Sequence, residues 1–407
     1  MQNITSRRAV TIFLALALAY FISTLIRAIT ATLAPVLVQE LGLNAADLGL
    51  LAGGYFLGFA ATQLPLGKWL DRYGPKRVEL TFLSIAVLSC LAFSMAQSFA
   101  GLLLARVLCG VGVSACLMAP LTGYRRWYAP GNQLRANSWM LMVGAFGMVA
   151  STLPVQWLLP VMGWRPIFWI LAAGLVLAMI AITWQLPGWP VPQASRSDGP
   201  PTSQGYSEIW HSRFFWRLVP LGFFSYGGMV AVQTLWATPW MVKVAGYAPQ
   251  QASVGMFWLN IGMLVAFWLW GLGNPWLTRH GYTTVRLITL GMPVAWLVLV
   301  GIAWTGPALG SLAAPAWVLF CVTSTVSSQA QPAVGMAFRP ELAGRALSAF
   351  NLVIFCGVFT VQWGIGLAID ALRAAGLAEV AAYQGALGLY AVCCAGAYLY
   401  FLLAKKP

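Results

Sequence analysis

Apolar runs of twenty residues or more recur from one end of this 407-residue chain to the other. At about 1.5 Å per helical residue, each can cross a hydrocarbon layer about 30 Å thick. Inside such a layer every backbone N–H and C=O must be satisfied by the chain itself, which leaves helices and closed barrels. A barrel strand alternates over roughly ten residues, and a stretch such as Leu171 to Ile182 does not alternate. The spans are therefore read as helices. Composition agrees, with 60% apolar and 8% charged residues, against about a quarter charged in an ordinary soluble domain. The first run follows Arg7 and Arg8 and carries the small pair Ala15 and Ala17. It is too long for a cleaved leader and is read as the first of twelve spans.

The spans are placed at residues 10–35, 46–69, 77–97, 100–123, 136–160, 166–185, 214–241, 250–273, 283–304, 311–336, 346–369 and 380–402. A net charge of +14 in a soluble protein would suggest nucleic acid, but the positions of the charges give it another meaning. Of the 23 Lys and Arg, 18 fall on one side of the predicted membrane, and three (Arg165, Lys243 and Arg373) fall on the other. Arg27 and Arg106 lie inside spans. The positive-inside rule makes the crowded side cytoplasmic and puts both termini there. The expected location is the cell (inner) membrane, with the bilayer as partner and no nucleic acid. All seven cysteines fall inside spans without metal-type spacing and read as packing residues.

Between spans 6 and 7 the chain turns polar and rich in Pro, Ser and Gly, with Gly199, Pro200, Pro201 and Gly205 breaking any helix. Residues 187–213 are read as a cytoplasmic linker between an N-terminal half (1–186) and a C-terminal half (214–407). Internal repetition supports two pseudo-symmetric six-helix halves. Trp69, Leu70, Arg72 and Gly74 recur as Trp276, Leu277, Arg279 and Gly281, and Pro130, Arg135, Ala136 and Ser138 recur as Pro340, Arg345, Ala346 and Ser348. Both pairs join equivalent loops of the two halves.

The loop between spans 2 and 3 runs Gly67, Lys68, Trp69, Leu70, Asp71, Arg72, Tyr73, Gly74, Pro75, Lys76, Arg77. It resembles the signature loop of the major facilitator superfamily of secondary transporters, with Pro75 where a basic residue is usual. Arg106, Gly110 and Gly112 on span 4 resemble the family's second motif. The Gly-Pro antiporter motif of span 5 is not matched: Gly144 and Gly147 are present, but the next proline is Pro154. The resemblance implies alternating access around a cavity lined by spans 1, 4, 7 and 10. It also implies a cytoplasmic latch built from Gly67, Asp71, Arg72, Gly74, Lys76 and Arg77. Asp71 would face the positive N-terminus of span 11, which begins near Arg345. Thr278 stands where Asp71 would repeat, so the second half should lack an acid latch. The competing reading, that these charges only obey the positive-inside rule, accounts for Lys76 and Arg77 but not for Asp71 between two glycines.

A buried arginine costs about 2.5 to 3.5 kcal/mol on insertion scales, so two call for a reason. The acids Glu40, Asp47, Asp71, Glu79, Asp198, Glu208, Glu341, Asp370 and Glu379 are all assigned to loops or helix ends, and His211 and His280 to the cytoplasm. The expected interior is therefore positive when empty, and an anionic substrate is expected at Arg27 and Arg106. Against this stand two structural readings, Arg27 bonding helix carbonyls and Arg106 packing helices. Tyr20 on span 1, Tyr226 and Gln233 on span 7 and Gln329 on span 10 are the further substrate candidates. Trp236, Trp240 and Gln331 rank below them.

With no acid placed inside the membrane, uniport, anion exchange or entry of the substrate with its own proton is expected ahead of a buried-acid relay. Glu40, Asp47 and Asp370 remain for the outer rim. An enzyme would gather acids, histidines or a nucleophile near one interface, and a channel would show charged rings or a filter loop. Neither pattern is visible. The expectation is a non-enzymatic, cofactor-free, metal-free monomeric transporter of a small anion. Drug or metabolite efflux is the alternative, and a membrane-embedded binding or sensor protein is the non-transport alternative.

Overall fold

The computed structural model describes residues 6–128, 130–189 and 204–404. The expected linker core with Arg196, Asp198, Gly199, Pro200 and Pro201, and the terminal Lys405 and Lys406, lie outside the described residues. Among the described residues there are helices and no strand. They are α1 (Ser6–Leu41), α2 (Ala45–Met95), α3 (Phe99–Trp127), α4 (Pro130–Ala150), α5 (Leu153–Met162) and α6 (Trp164–Gln185). After a short helix, Gln204–Trp210, come α7 (Arg213–Lys243), α8 (Pro249–Arg279), α9 (Thr284–Ala337), α10 (Pro340–Ala374) and α11 (Glu379–Leu403). Among the described residues nine helices are long and apolar enough to cross a membrane, or ten if α4 and α5, bent by 42°, form one span.

Two of these helices are far longer than one crossing needs. α2 has 51 residues and is broken at Gly74, where φ 79° and ψ 161° lie in a region open essentially to glycine alone. α9 spans 54 residues and is broken by the 3₁₀ turn Gly306–Leu312, with Gly306 at φ 54° and Gly310 at φ 47°. Both breaks fall where the hydrophobic pattern pauses, so the chain reverses without leaving a side chain in a forbidden conformation. α7 is irregular in another way. It widens into π-helix over Leu221–Tyr226 and Val232–Trp236, which shifts the rotational register of the residues beyond.

Helix starts are capped by the side chains that suit them. Ser98, Ser212 and Thr283 each accept a hydrogen bond from the backbone N–H three residues on. At the start of α2, Asn44 and Asp47 exchange bonds: Asp47 N–H donates to Asn44 Oδ1 at 2.7 Å, and Asn44 N–H to Asp47 Oδ2 at 3.3 Å.

The outside of the helices is not a surface for water. Trp304 is 88% exposed, Leu403 81% and Trp184 79%. They belong to a long series of exposed Leu, Val and Trp that lipid would cover, with tryptophans suited to the headgroup boundary. The described residues fall into two compact units, one within residues 1–29 and 54–201 and the other within 30–53 and 202–407. In the first, Leu66, Leu70, Val78, Phe82, Ala115 and Ala119 form a core cluster between α2 and α3.

Candidate functional site

In the first unit the two intramembrane arginines come together on α1, α2 and α3. Arg106 is 1% exposed. It donates from Nη1 to the Ile26 carbonyl at 2.8 Å and from Nη2 to the Arg27 carbonyl at 3.2 Å. Helix carbonyls carry a second lone pair, so these bonds tie α3 to α1 without breaking the α1 ladder. The Arg106 guanidinium carbon lies 5.1 Å from the Tyr55 ring centre, and that of Arg27 lies 5.4 Å from the Phe59 ring centre. Tyr55 and Phe59 are one turn apart on α2 and stack with centroids 6.1 Å apart. A ring face offers a buried cation attraction that a carboxylate would otherwise supply.

Glycines set this geometry. A methyl group at Gly110 of α3 would overlap the Tyr55 carbonyl oxygen, and one at Gly58 of α2 would overlap the Val107 carbonyl. The two backbones therefore touch, as small residues allow in membrane packing. The second family motif thus becomes a helix crossing that brings Tyr55 under Arg106. Tyr20 lies two turns before Arg27 on α1 and is 6% exposed, its ring packed on Gly144 of α4. Tyr55 and Phe59 escaped sequence reasoning. Their signal was the spacing of two aromatics at i and i+4 beside Gly54 and Gly58.

One sequence expectation needs correction. Glu79 stands near a helix end, five residues beyond the Gly74 break of α2, but its side chain is 0% exposed, so the interior expected to be purely positive also holds a buried acid. Neither carboxyl oxygen has a hydrogen-bond partner among the described residues. The error was one of register: Glu79 shares the inward face that Leu83 and Ala86 continue, both 0% exposed.

In the loop that resembled a latch, Gly74 is held by packing as well as by its backbone, because a methyl there would overlap the Trp189 side chain. Trp189 in turn lies under the Arg126 guanidinium at 4.6 Å and meets Trp127 edge-on at 6.3 Å. Lys76 Nζ donates to the Thr183 carbonyl at 2.6 Å and the Leu186 carbonyl at 3.2 Å, where a cation suits the C-terminal end of α6. Gly67, Asp71, Arg72 and Arg77 are exposed, and Arg72 rests over the Tyr73 ring at 5.2 Å. Arg345 is half-buried on α10 in the second unit. It acts electrostatically on Tyr206, whose hydroxyl burial pushes up and Arg345 pulls back.

Among its described residues the second unit has one buried arginine, Arg217, which donates from Nε to the Phe401 carbonyl at 2.8 Å and lies over the Phe401 ring at 4.7 Å, and the expected substrate residues there are neutral amides and aromatics. Gln233 Nε2 donates to Asn260 Oδ1 at 2.9 Å, and Asn274 Nδ2 to Gln329 Oε1 at 3.2 Å. Gln233 and Gln329 thus each pair with α8, at two separate places. Tyr226 closes the first π-helical stretch of α7, and Gln233 lies in the second. Trp236 and Trp240, each 1% exposed, are packed inside this unit. Trp236 Nε1 donates to the Gln362 carbonyl at 2.9 Å.

At the start of α2, Asp370 of α10 accepts from Ala46 N–H at 2.7 Å (Oδ2) and from Ala45 N–H at 3.2 Å (Oδ1), both within the second unit. Together with the Asn44–Asp47 exchange, this satisfies the first-turn N–H groups of α2 that the helix itself leaves open.

The family model described as Major Facilitator Superfamily matches residues 16–361. The chloramphenicol resistance protein of Pseudomonas aeruginosa is 26% identical over 306 residues, covering 73% of this chain and 70% of that protein. The probable L-galactonate transporter of Escherichia coli (strain K12) is 24% identical over 313 residues, covering 74% of this chain and 65% of that protein. A crystal structure of a bacterial homolog of the human lysosomal transporter Spinster aligns with a TM-score of 0.79 at 17% identity over 98% of each chain, a likeness of fold. With apolar helices of membrane-crossing length, the signature loop and a family match over most of its length, the chain belongs to the Major Facilitator Superfamily: it is a multi-pass membrane transporter of small solutes and not an enzyme.

Proposed function

We propose that the chain moves a small anion, organic or inorganic, across the cell (inner) membrane by alternating access, as a monomer. The observation that carries this reading is the buried Arg106 beside Arg27. The described partners of Arg106 are two carbonyl oxygens and a ring, so its charge is solvated but not neutralised. Arg27 is the proposed anion contact. Arg106 fixes the α1 backbone at that residue, with its own charge adding to the field. Tyr20, Tyr226, Gln233 and Gln329 are proposed to serve the neutral part of the solute. The L-galactonate relative is consistent with a carboxylate cargo.

Twelve spans, in two six-helix halves joined at 187–213 with both termini cytoplasmic, remain the proposed topology. α2 and α9, at 51 and 54 residues with glycine breaks between their two lengths, count as two spans each, and bent α4–α5 counts as one. The latch of Gly67, Asp71, Arg72, Gly74, Lys76 and Arg77 with Arg345 is proposed on the resemblance of its loop to the family's signature loop.

The test is uptake of L-galactonate and other small carboxylates, phosphate esters and inorganic anions into liposomes. Arg27→Ala should weaken apparent affinity tenfold or more, that is by at least about 1.4 kcal/mol, and Arg27→Lys should recover part of it. Unchanged affinity in both variants refutes the anion contact. The chloramphenicol resistance relative is consistent with the second reading, drug or metabolite efflux. Flux of chloramphenicol with no flux of any anion would establish it, and binding without flux would point to a sensor.

A further inference from the structure

Glu79 is buried in the first unit with both carboxyl oxygens unbonded among the described residues, yet the break at Gly74 is only five residues away. Five helical residues rise about 7.5 Å, so the carboxyl lies within about one and a half turns of a chain reversal. The groups that act on it electrostatically are the Cys116 thiol and the Tyr124 hydroxyl, both on α3. No Lys, Arg or His among the described residues does so. From its own helix, Val78 and Phe82 belong to the apolar cluster beside it.

Aromatic rings close this end of the unit. Tyr124 stacks on Tyr128 at 4.7 Å and on Phe13 at 6.3 Å. The Tyr128 hydroxyl donates to the Ala9 carbonyl at 2.5 Å, and Trp189, met edge-on by Trp127, covers Gly74. A carboxylate anion in such a place would surrender its hydration with no hydrogen bond made and no cation in exchange, whereas the neutral acid asks for far less. An acid with a permanent structural role normally has its hydrogen bonds made. This one does not.

We propose that Glu79 is a proton-binding site of the transporter, neutral in the conformation described and exchanging its proton with water when the aromatic cover over it loosens during the transport cycle. The step is the plain ionisation of a carboxylic acid, one proton passing to water and one returning, with no other bond changed. Cys116 also acts on Arg27, so the charge on Glu79 is one residue removed from the arginine pair. Resting here on the anion reading, a proton on Glu79 removes a negative charge from the unit that would hold the anion. Proton and anion would then be bound together and travel together.

The test needs no substrate. Infrared spectra of the full chain in lipid at neutral pH should show the C=O stretch of a protonated carboxylic acid. The band should move on ¹³C-glutamate labelling, vanish in Glu79→Gln and shift on transfer to D₂O within minutes. Superimposable wild-type and Glu79→Gln spectra overturn the proposal. A Glu79 band that stays unshifted in D₂O for hours also overturns it, because a sealed neutral acid exchanges nothing. If Glu79→Gln does not accumulate, the ¹³C-labelled wild type decides alone, since absence of a labelled protonated band means that Glu79 carries no proton. Failure of L-galactonate to move in liposomes counts against the anion reading only and leaves these outcomes in force.

Discussion

Removal of the Asp370 carboxylate should release the start of α2 from the end of α10. Two backbone N–H groups, at 2.7 and 3.2 Å, donate to that carboxylate. Hydrogen bonds to charged groups contribute about 1.5 to 3 kcal/mol each. Asp370 is half-exposed, so water replaces part of the loss, and the low end of that range applies to both bonds. The helix-terminus charge adds a few tenths, for a total of about 3 kcal/mol. The packing beneath offers no substitute. Gly49 and Gly366 bring the two backbones together, and a methyl at Gly49 would approach the Gln362 carbonyl oxygen at 2.5 Å. A loss of about 3 kcal/mol corresponds to roughly a hundredfold rise in the population with this junction open. The assay is the labelling rate of Ala46→Cys by a membrane-impermeant maleimide, with and without Asp370→Ala. Asp47→Ala is the control: it removes only the side-chain exchange at the cap and should cost about 1 kcal/mol. A rate within threefold of the parent, or Asp370→Asn protecting as well as aspartate, would refute the reasoning, because asparagine can turn only one acceptor toward two donors.

Gly74→Ala places a side chain at φ 79° against Trp189. It should cost about 2 to 3 kcal/mol in thermal unfolding followed by tryptophan fluorescence, and combining it with Trp189→Ala should recover only the steric part. Gly110→Ala should force α2 and α3 apart and destabilise by about 2 kcal/mol or more, whereas Gly271→Ala, with open space around it, should leave unfolding within about 0.5 kcal/mol of the parent; equal melting of the two would contradict the close crossing. Arg106→Lys keeps the charge but cannot reach two carbonyls and a ring face together, so it should lower stability by about 1 to 3 kcal/mol. An unchanged melting curve would mean that the Arg106 bonds hold nothing.

The parts of the fold that were legible in the sequence depend on composition along the chain. Long apolar runs are helices whatever surrounds them, and the two broken helices are legible as paired spans, 46–69 with 77–97 and 283–304 with 311–336. The family resemblance is legible in residues of one loop, Gly67 to Arg77, and in Arg106, Gly110 and Gly112, whose spacing survives any detail of packing. The parts that were not legible depend on rotation. Whether Glu79 faces lipid, water or α3 is a matter of about 100° per residue about the α2 axis, and a break five residues upstream resets that angle. The π-helical stretches of α7 do the same for Tyr226 and Gln233, since each added residue per turn swings everything after it.

The arginine pair shows how a legible feature conceals an illegible one. Gly58 and Gly110 are plain in the sequence, and their closeness to Tyr55, Phe59 and Arg106 is a matter of counting. What the count does not contain is that the two glycines meet across the crossing of α2 and α3, each against the other helix's carbonyl. Once the backbones touch there, Tyr55 has no choice of neighbour. Its ring lies beneath Arg106, and Phe59, one turn on, lies beneath Arg27. The unit thus holds two cations on one aromatic face, where the sequence suggested two isolated charges waiting for an anion. An anion that binds there meets arginines already oriented, so its affinity should depend as much on Gly58 and Gly110 as on the guanidinium groups themselves.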